Sequence, residues 1–170
     1  MTICDTRPTT WHMDWSTDTV ERSDQVAAQP RYFDNILESV GETPLVRLRH
    51  VVPDSTQGTI LAKVEAMNPG GSIKDRVARN MIDTAEREGR LKPGGTIIEA
   101  TSGNTGIGLA TVAAARGYQA ILTIPDRMSQ EKINFLRALG AKVIITPSVG
   151  PEDPRNNVSV AAKIAEETPN

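Results

Sequence analysis

Thr96-Ile97-Ile98-Glu99-Ala100-Thr101-Ser102-Gly103-Asn104-Thr105-Gly106 decides the fold class. Its first five residues follow the turn-forming run Pro93-Gly94-Gly95 and read as a short buried strand. The next six are small residues and hydrogen-bond donors, which make a strand-to-helix turn. A helix is expected from about Asn104 to Arg116, stopped by Gly117. A strand passing through a short turn directly into a helix is the repeating element of an α/β sheet.

The same alternation extends in both directions. Downstream, Gln119 to Ile124 predicts a strand, Ser129 caps a helix that Gly140 ends, and Lys142 to Thr146 predicts another strand. A last helix is expected over Asn157 to Glu167. Upstream, Ser72 reads as an N-cap with Asp75 three positions later, a capping-box-like pair. Val77, Met81, Ile82 and Ala85 form the apolar stripe of the helix that follows, and Gly89 ends it. Thr59 to Glu65 and Thr43 to Leu48 read as strands, and Ile36, Leu37 and Val40 as a helical turn closed by Gly41. Strands alternating with helices over short connections predict an α/β fold, a parallel sheet flanked by helices on both faces. Residues 1–31 are polar without a steady period and read as a flexible N-terminal arm, leaving 32–170 as the folded part. Within the arm, Trp11, Met13 and Trp15 alternate as in a short edge strand, or are dispersed aromatics.

Composition narrows the function classes. A formal net charge of -2 over 170 residues gives no reason to expect nucleic acid as a partner. A single cysteine, Cys4, cannot form an intrachain disulfide and fits a reducing compartment. No apolar run is long enough for a membrane span, and Met1 to Trp15 lacks the apolar core of a secretion signal, so a cytoplasmic setting is expected. His12 and His50 have no partners at ligand spacing, so no metal site is expected.

Two stretches carry chemistry. Asn68-Pro69-Gly70-Gly71-Ser72-Ile73-Lys74-Asp75-Arg76 sets one lysine just inside a helix start after a glycine turn. A lysine amine near a helix N-terminus, partly desolvated and close to Arg76, loses its proton more readily and can attack an aldehyde. A solvated lysine on the first helical turn explains the same spacing. Thr101 to Gly106 offers free backbone N–H groups and hydroxyls at a helix start, where an anion is favoured. A well-capped turn without a ligand is the alternative. The glycines there run Gly103, Gly106, Gly108, the reverse of the dinucleotide G-x-G-x-x-G order, which speaks against an α/β nucleotide-binding module. Glu99, Asp126, Arg127, Glu131 and Lys132 read as charges beside turns and receive no chemistry.

Taken in series, Gly41 to Leu48, Asn68 to Arg76, Glu99 to Gly108 and Ser129 to Gly140 resemble the pyridoxal-phosphate enzymes of the cystathionine β-synthase and cysteine synthase family, within the tryptophan synthase β superfamily. The resemblance covers about Phe33 to Asn170 and implies part of a fold type II catalytic domain. It implies pyridoxal 5'-phosphate as cofactor, held covalently by Lys74, which later acts as base at the substrate Cα. Asn104 would hydrogen-bond the cofactor's ring oxygen. Thr101, Ser102, Gly103 and Thr105 would grip the substrate α-carboxylate. The implied reaction is β-replacement on a serine-like amino acid by a thiol. Lys92-Pro93-Gly94, Met128 to Lys132 and Pro151 to Ala161 lean towards cystathionine β-synthase, with serine and homocysteine. Cysteine synthase, with O-acetylserine and sulfide, is the close alternative, and the full-length family is commonly homodimeric. The family's phosphate-binding loop would lie downstream of Asn170, so the chain is expected to be an N-terminal part that is inactive or nearly so alone. An interaction fragment that pairs through its sheet edge is the other reading. Some family members hold haem through an N-terminal Cys and His, but nothing around Cys4 and His12 resembles an attachment pattern.

Overall fold

The computed structural model describes residues 32–101 and 103–169. The sequence features at Cys4, Trp11, His12, Met13, Trp15 and Ser102 lie outside these residues. Three parallel strands form the centre: β3 (Thr96–Ala100), β4 (Gln119–Pro125) and β5 (Lys142–Thr146), in the order β3-β4-β5. Ile97 lies beside Ala120 and Glu99 beside Leu122, and Leu122 lies beside Val143 in turn. The described residues form four helices around this core, α1 (Lys74–Arg87), α2 (Asn104–Arg116), α3 (Gln130–Ala138) and α4 (Asn157–Glu167), of which α1 packs on α2.

The two faces of β4 show the layering. Ile124 shares a cleft with Ile107 of α2 and Leu136 of α3. Thr123, pointing the other way, donates its hydroxyl to the Asn157 carbonyl at the start of α4, 2.8 Å away. α2 and α3 therefore cover one face and α4 the other. A strand covered on both sides reads as a near-continuous apolar run, as Ala120 to Ile124 does.

α2 lies between the sheet and α1 and is buried almost all round, from Gly106 to Ala110 and again at Val112 and Ala113. Its glycines and alanines allow that depth. A Cβ on Gly108 would come within 2.9 Å of the Ala78 Cβ and 3.0 Å of the Lys74 carbonyl oxygen. Gly117 takes φ 76° and ends α2 in the left-handed conformation.

Two expectations are corrected. Ile82 and Ala85 of the expected α1 stripe face the core, together with Asp75 and Ala78, while Val77 and Met81 are 41% and 44% exposed. The close approach of α2 selects the short Ala78 as the contact, so the stripe is rotated from the one the larger side chains suggest. The upstream strands are also shorter than expected and stand apart from the parallel sheet. β1 (Leu45–Arg47) and β2 (Leu61–Lys63) pair antiparallel, Val46 opposite Ala62, as a two-stranded ribbon. The sequence after β2 forms a 3-10 turn, Glu65–Met67, and another such turn, Ile36–Ser39, buries Leu37. No helix among the described residues is long and apolar enough to cross a membrane.

Candidate functional site

The lysine turn is built first. Asn68, 4% exposed, donates to the Glu65 carbonyl and carboxylate at 2.9 Å each, and its side-chain oxygen accepts the Gly41 N–H at 2.9 Å. Glu65 receives Arg76 in a two-pronged contact, Nε to Oε2 at 2.8 Å and Nη2 to Oε1 at 2.9 Å. The same guanidinium donates to the Gly41 carbonyl at 2.9 Å, and the Thr43 hydroxyl donates to Glu65 at 3.0 Å. The Arg76 hydrogen bond is the main cause that lowers the Glu65 pKa to about 2, opposed by desolvation and helped by Asn68 and Thr43. Three segments distant in sequence are thus clasped beside the start of α1.

Asp75 closes the other side of this turn. It is 2% exposed, and its Oδ2 accepts the Gly70 N–H at 2.5 Å. Its Oδ1 is buried without a hydrogen-bond partner. Desolvation raises its pKa, the Gly70 bond opposes that, and the Glu65 charge adds to it. A Cβ on Gly70 would meet Asp75 Oδ1 at 2.4 Å, so this carboxylate requires glycine there. The expected capping box is therefore rearranged. The Ser72 hydroxyl accepts the Lys74 N–H at 3.2 Å, while Asp75 reaches back to Gly70 rather than to Ser72.

Lys74, the first residue of α1, is exposed. The Arg76 guanidinium beside it is committed to Glu65 and Gly41. The anion turn lies close by, since the Lys74 carbonyl abuts Gly108, one turn into α2 from Asn104. Thr101 is buried, Gly103 and Thr105 are half-buried and Asn104 is exposed. Ser102 lies outside the described residues. The Thr101 hydroxyl oxygen accepts the Gly106 N–H at 3.1 Å and the Gly103 N–H at 3.3 Å. Among the described residues no hydrogen bond engages the N–H groups or side chains of Asn104 and Thr105.

An apolar cleft opens beside Gly103, lined by Ile107, Ile124, Met128, Lys132 and Leu136. Lys132 and Met128 belong to the surroundings of the anion turn, which spacing alone does not reveal because they come from the next βα connection. Glu99 shares a register level with Leu122 and so stands on the α2 face of the sheet, where burial raises its pKa. Among the described residues no group of three His, Cys, Asp or Glu could hold a metal ion.

An exposed amine at the end of a clamped glycine turn, next to a helix start with two open N–H donors, suits a carbonyl compound and a carboxylate together. The sequence profile of the family described as "Pyridoxal-phosphate dependent enzyme" matches residues 36–170. The chain belongs to this family. It is 52% identical over 134 residues to a cysteine synthase of Staphylococcus aureus (strain Mu50 / ATCC 700699), covering 79% of this chain and 42% of that protein. It is 51% identical over 139 residues to a cystathionine beta-synthase of Dictyostelium discoideum, covering 81% of this chain and 28% of that protein. Among solved structures, O-ureido-L-serine synthase superposes with a TM-score of 0.74 at 44% identity, covering 81% of this chain and 42% of that one. The parallel sheet flanked by helices is thus part of a fold type II architecture, and the chain spans less than half the length of these relatives.

Proposed function

We propose that residues 32–170 are the N-terminal part of the catalytic domain of a pyridoxal-phosphate enzyme that performs β-replacement on a serine-like amino acid. The observation that carries this reading is the meeting of the two turns, with the Lys74 carbonyl against the helix that the Asn104 turn begins. Lys74 would hold the cofactor through its amine and, once the substrate amine has taken its place, would be free to take and return the proton at the substrate Cα. The open N–H groups of Asn104 and Thr105, with the Thr105 hydroxyl, bind the α-carboxylate, while the Asn104 amide reaches the cofactor's ring oxygen. Bound pyridoxal phosphate supplies an electron sink for the negative charge that develops at Cα. Holding the carboxylate fixes which Cα bond aligns with that sink.

Cystathionine formation from serine and homocysteine is the product reading that the sequence favours. Cysteine formation from O-acetylserine and sulfide is supported equally, by a relative of nearly the same identity.

A visible absorption spectrum of the purified chain with added pyridoxal phosphate tests the lysine. A band that survives desalting, is fixed by borohydride reduction onto the Lys74 peptide and vanishes in Lys74→Ala supports the reading. A stable band that Lys74→Ala retains overturns the role of Lys74. Assays of a longer form of the protein with the two substrate pairs then choose between the products.

A further inference from the structure

We propose that Thr101 is a positioning residue that shapes the anion turn from within, and that its side chain is no ligand of the substrate. This rests on the reading of the turn as the α-carboxylate site. Thr101 extends β3 by one bond, its N–H donating to the Thr123 carbonyl at 3.1 Å, and its side chain is 6% exposed. A hydroxyl has two acceptor lone pairs. Both are occupied here, one by the Gly106 N–H and one by the Gly103 N–H. The hydroxyl proton is directed at the Gly103 carbonyl, 3.5 Å away.

The consequence lies in which donors remain. The N-cap position of α2 is Gly103, which has no side chain to cap the helix. Thr101 supplies the cap from two residues upstream and removes the Gly103 and Gly106 donors from the open set. Among the described residues nothing engages the N–H groups of Asn104 and Thr105, which lie between them in sequence. The cap thereby leaves an adjacent pair of donors among the described residues, a number that suits a carboxylate's two oxygens. The methyl group has its own part: a Cβ on Gly106 would lie 2.4 Å from Thr101 Cγ2, so methyl and glycine are matched.

The test is a 1H–15N spectrum of the labelled full chain with amide hydrogen exchange, for wild type, Thr101→Val and Thr101→Ser. Thr101→Val keeps the shape and removes the hydroxyl. It is expected to speed exchange at Gly106 about tenfold, the size of a lost side-chain cap, while Thr101→Ser stays near wild type. Titration of a longer form of the protein with L-serine in the presence of pyridoxal phosphate is expected to move the Asn104 and Thr105 amide resonances more than those of Gly103 and Gly106. Unchanged Gly106 exchange in folded Thr101→Val overturns the role of Thr101 and leaves the functional reading intact. Serine shifts confined to Gly103 and Gly106 overturn the donor assignment. A normal exchange result with no serine-induced shift at any of the four amides overturns the carboxylate site itself, and the proposed function with it. A third variant pair guards the steric match: Gly106→Ala is expected to disturb the turn with Thr101 present and much less with Thr101→Ser.

Discussion

The lysine turn and the anion turn lie side by side but are held by different forces. The first is clasped by charged groups drawn from 35 residues of chain, with Arg76 reaching Gly41 and Glu65 and with Asp75 reaching Gly70. The second is held by one neutral hydroxyl within five residues, Thr101 to Gly106. A charged clasp responds to pH because its carboxylates titrate, whereas a hydroxyl cap does not titrate in the accessible range. Sensitivity to acid is therefore expected in the position of the lysine and not in the geometry of the turn before α2.

The substitution expected to break this division most severely is Gly108→Ala, because it strikes the contact the turns share. Its Cβ would press on Ala78 and on the Lys74 carbonyl, which is backbone and gives little. Overpacking of this kind costs about 2–3 kcal/mol, read from the denaturant midpoint. A midpoint unchanged from wild type would mean that α1 and α2 are not so closely packed. Gly106→Ala is expected to cost about 1–2 kcal/mol, because the atom it strikes is a side-chain methyl. Thr101→Ser in the same chain should recover part of that loss.

Two smaller effects act on the lysine turn by pH, with opposite signs. The Glu65 pKa is held near 2, below its ordinary value of 4.5, chiefly by Arg76. Its contribution is fully present above pH 4.5 and is lost as pH falls through about 2. Glu65→Gln should flatten the acid limb of a stability-versus-pH curve, and an acid limb identical to wild type would count against the clasp. The Asp75 pKa is raised, chiefly by burial. Its contribution is present below its ordinary pKa of 3.8 and is lost as pH rises through the raised value. Asp75→Asn keeps an acceptor for Gly70, so it should remove that decline and change stability least at low pH.

The alternating elements from Thr96 onward were legible because each has a local marker. Gly117 ends α2, and Gly140 follows α3 with φ 85°. The orientation of α1 was not legible, because Ala78 carries no hydrophobic signal of its own and the glycine it meets is 30 residues away. The destination of Arg76 was hidden for the same reason, since Glu65 and Gly41 precede it in other elements. Thr101 was correctly placed in the turn, but the direction of its hydroxyl depends on where Gly106 comes to lie.

Residue types and spacing alone determined that this chain is an α/β protein with a glycine turn before Lys74 and a small-residue turn before α2, in that order. Those properties come from propensity, capping and periodicity, which act within a few residues. The tertiary structure decided which groups hold each turn, which N–H donors stay open and how closely the two turns approach. Those outcomes depend on contacts between distant segments, and a contact at Gly108 exists only once two helices have packed.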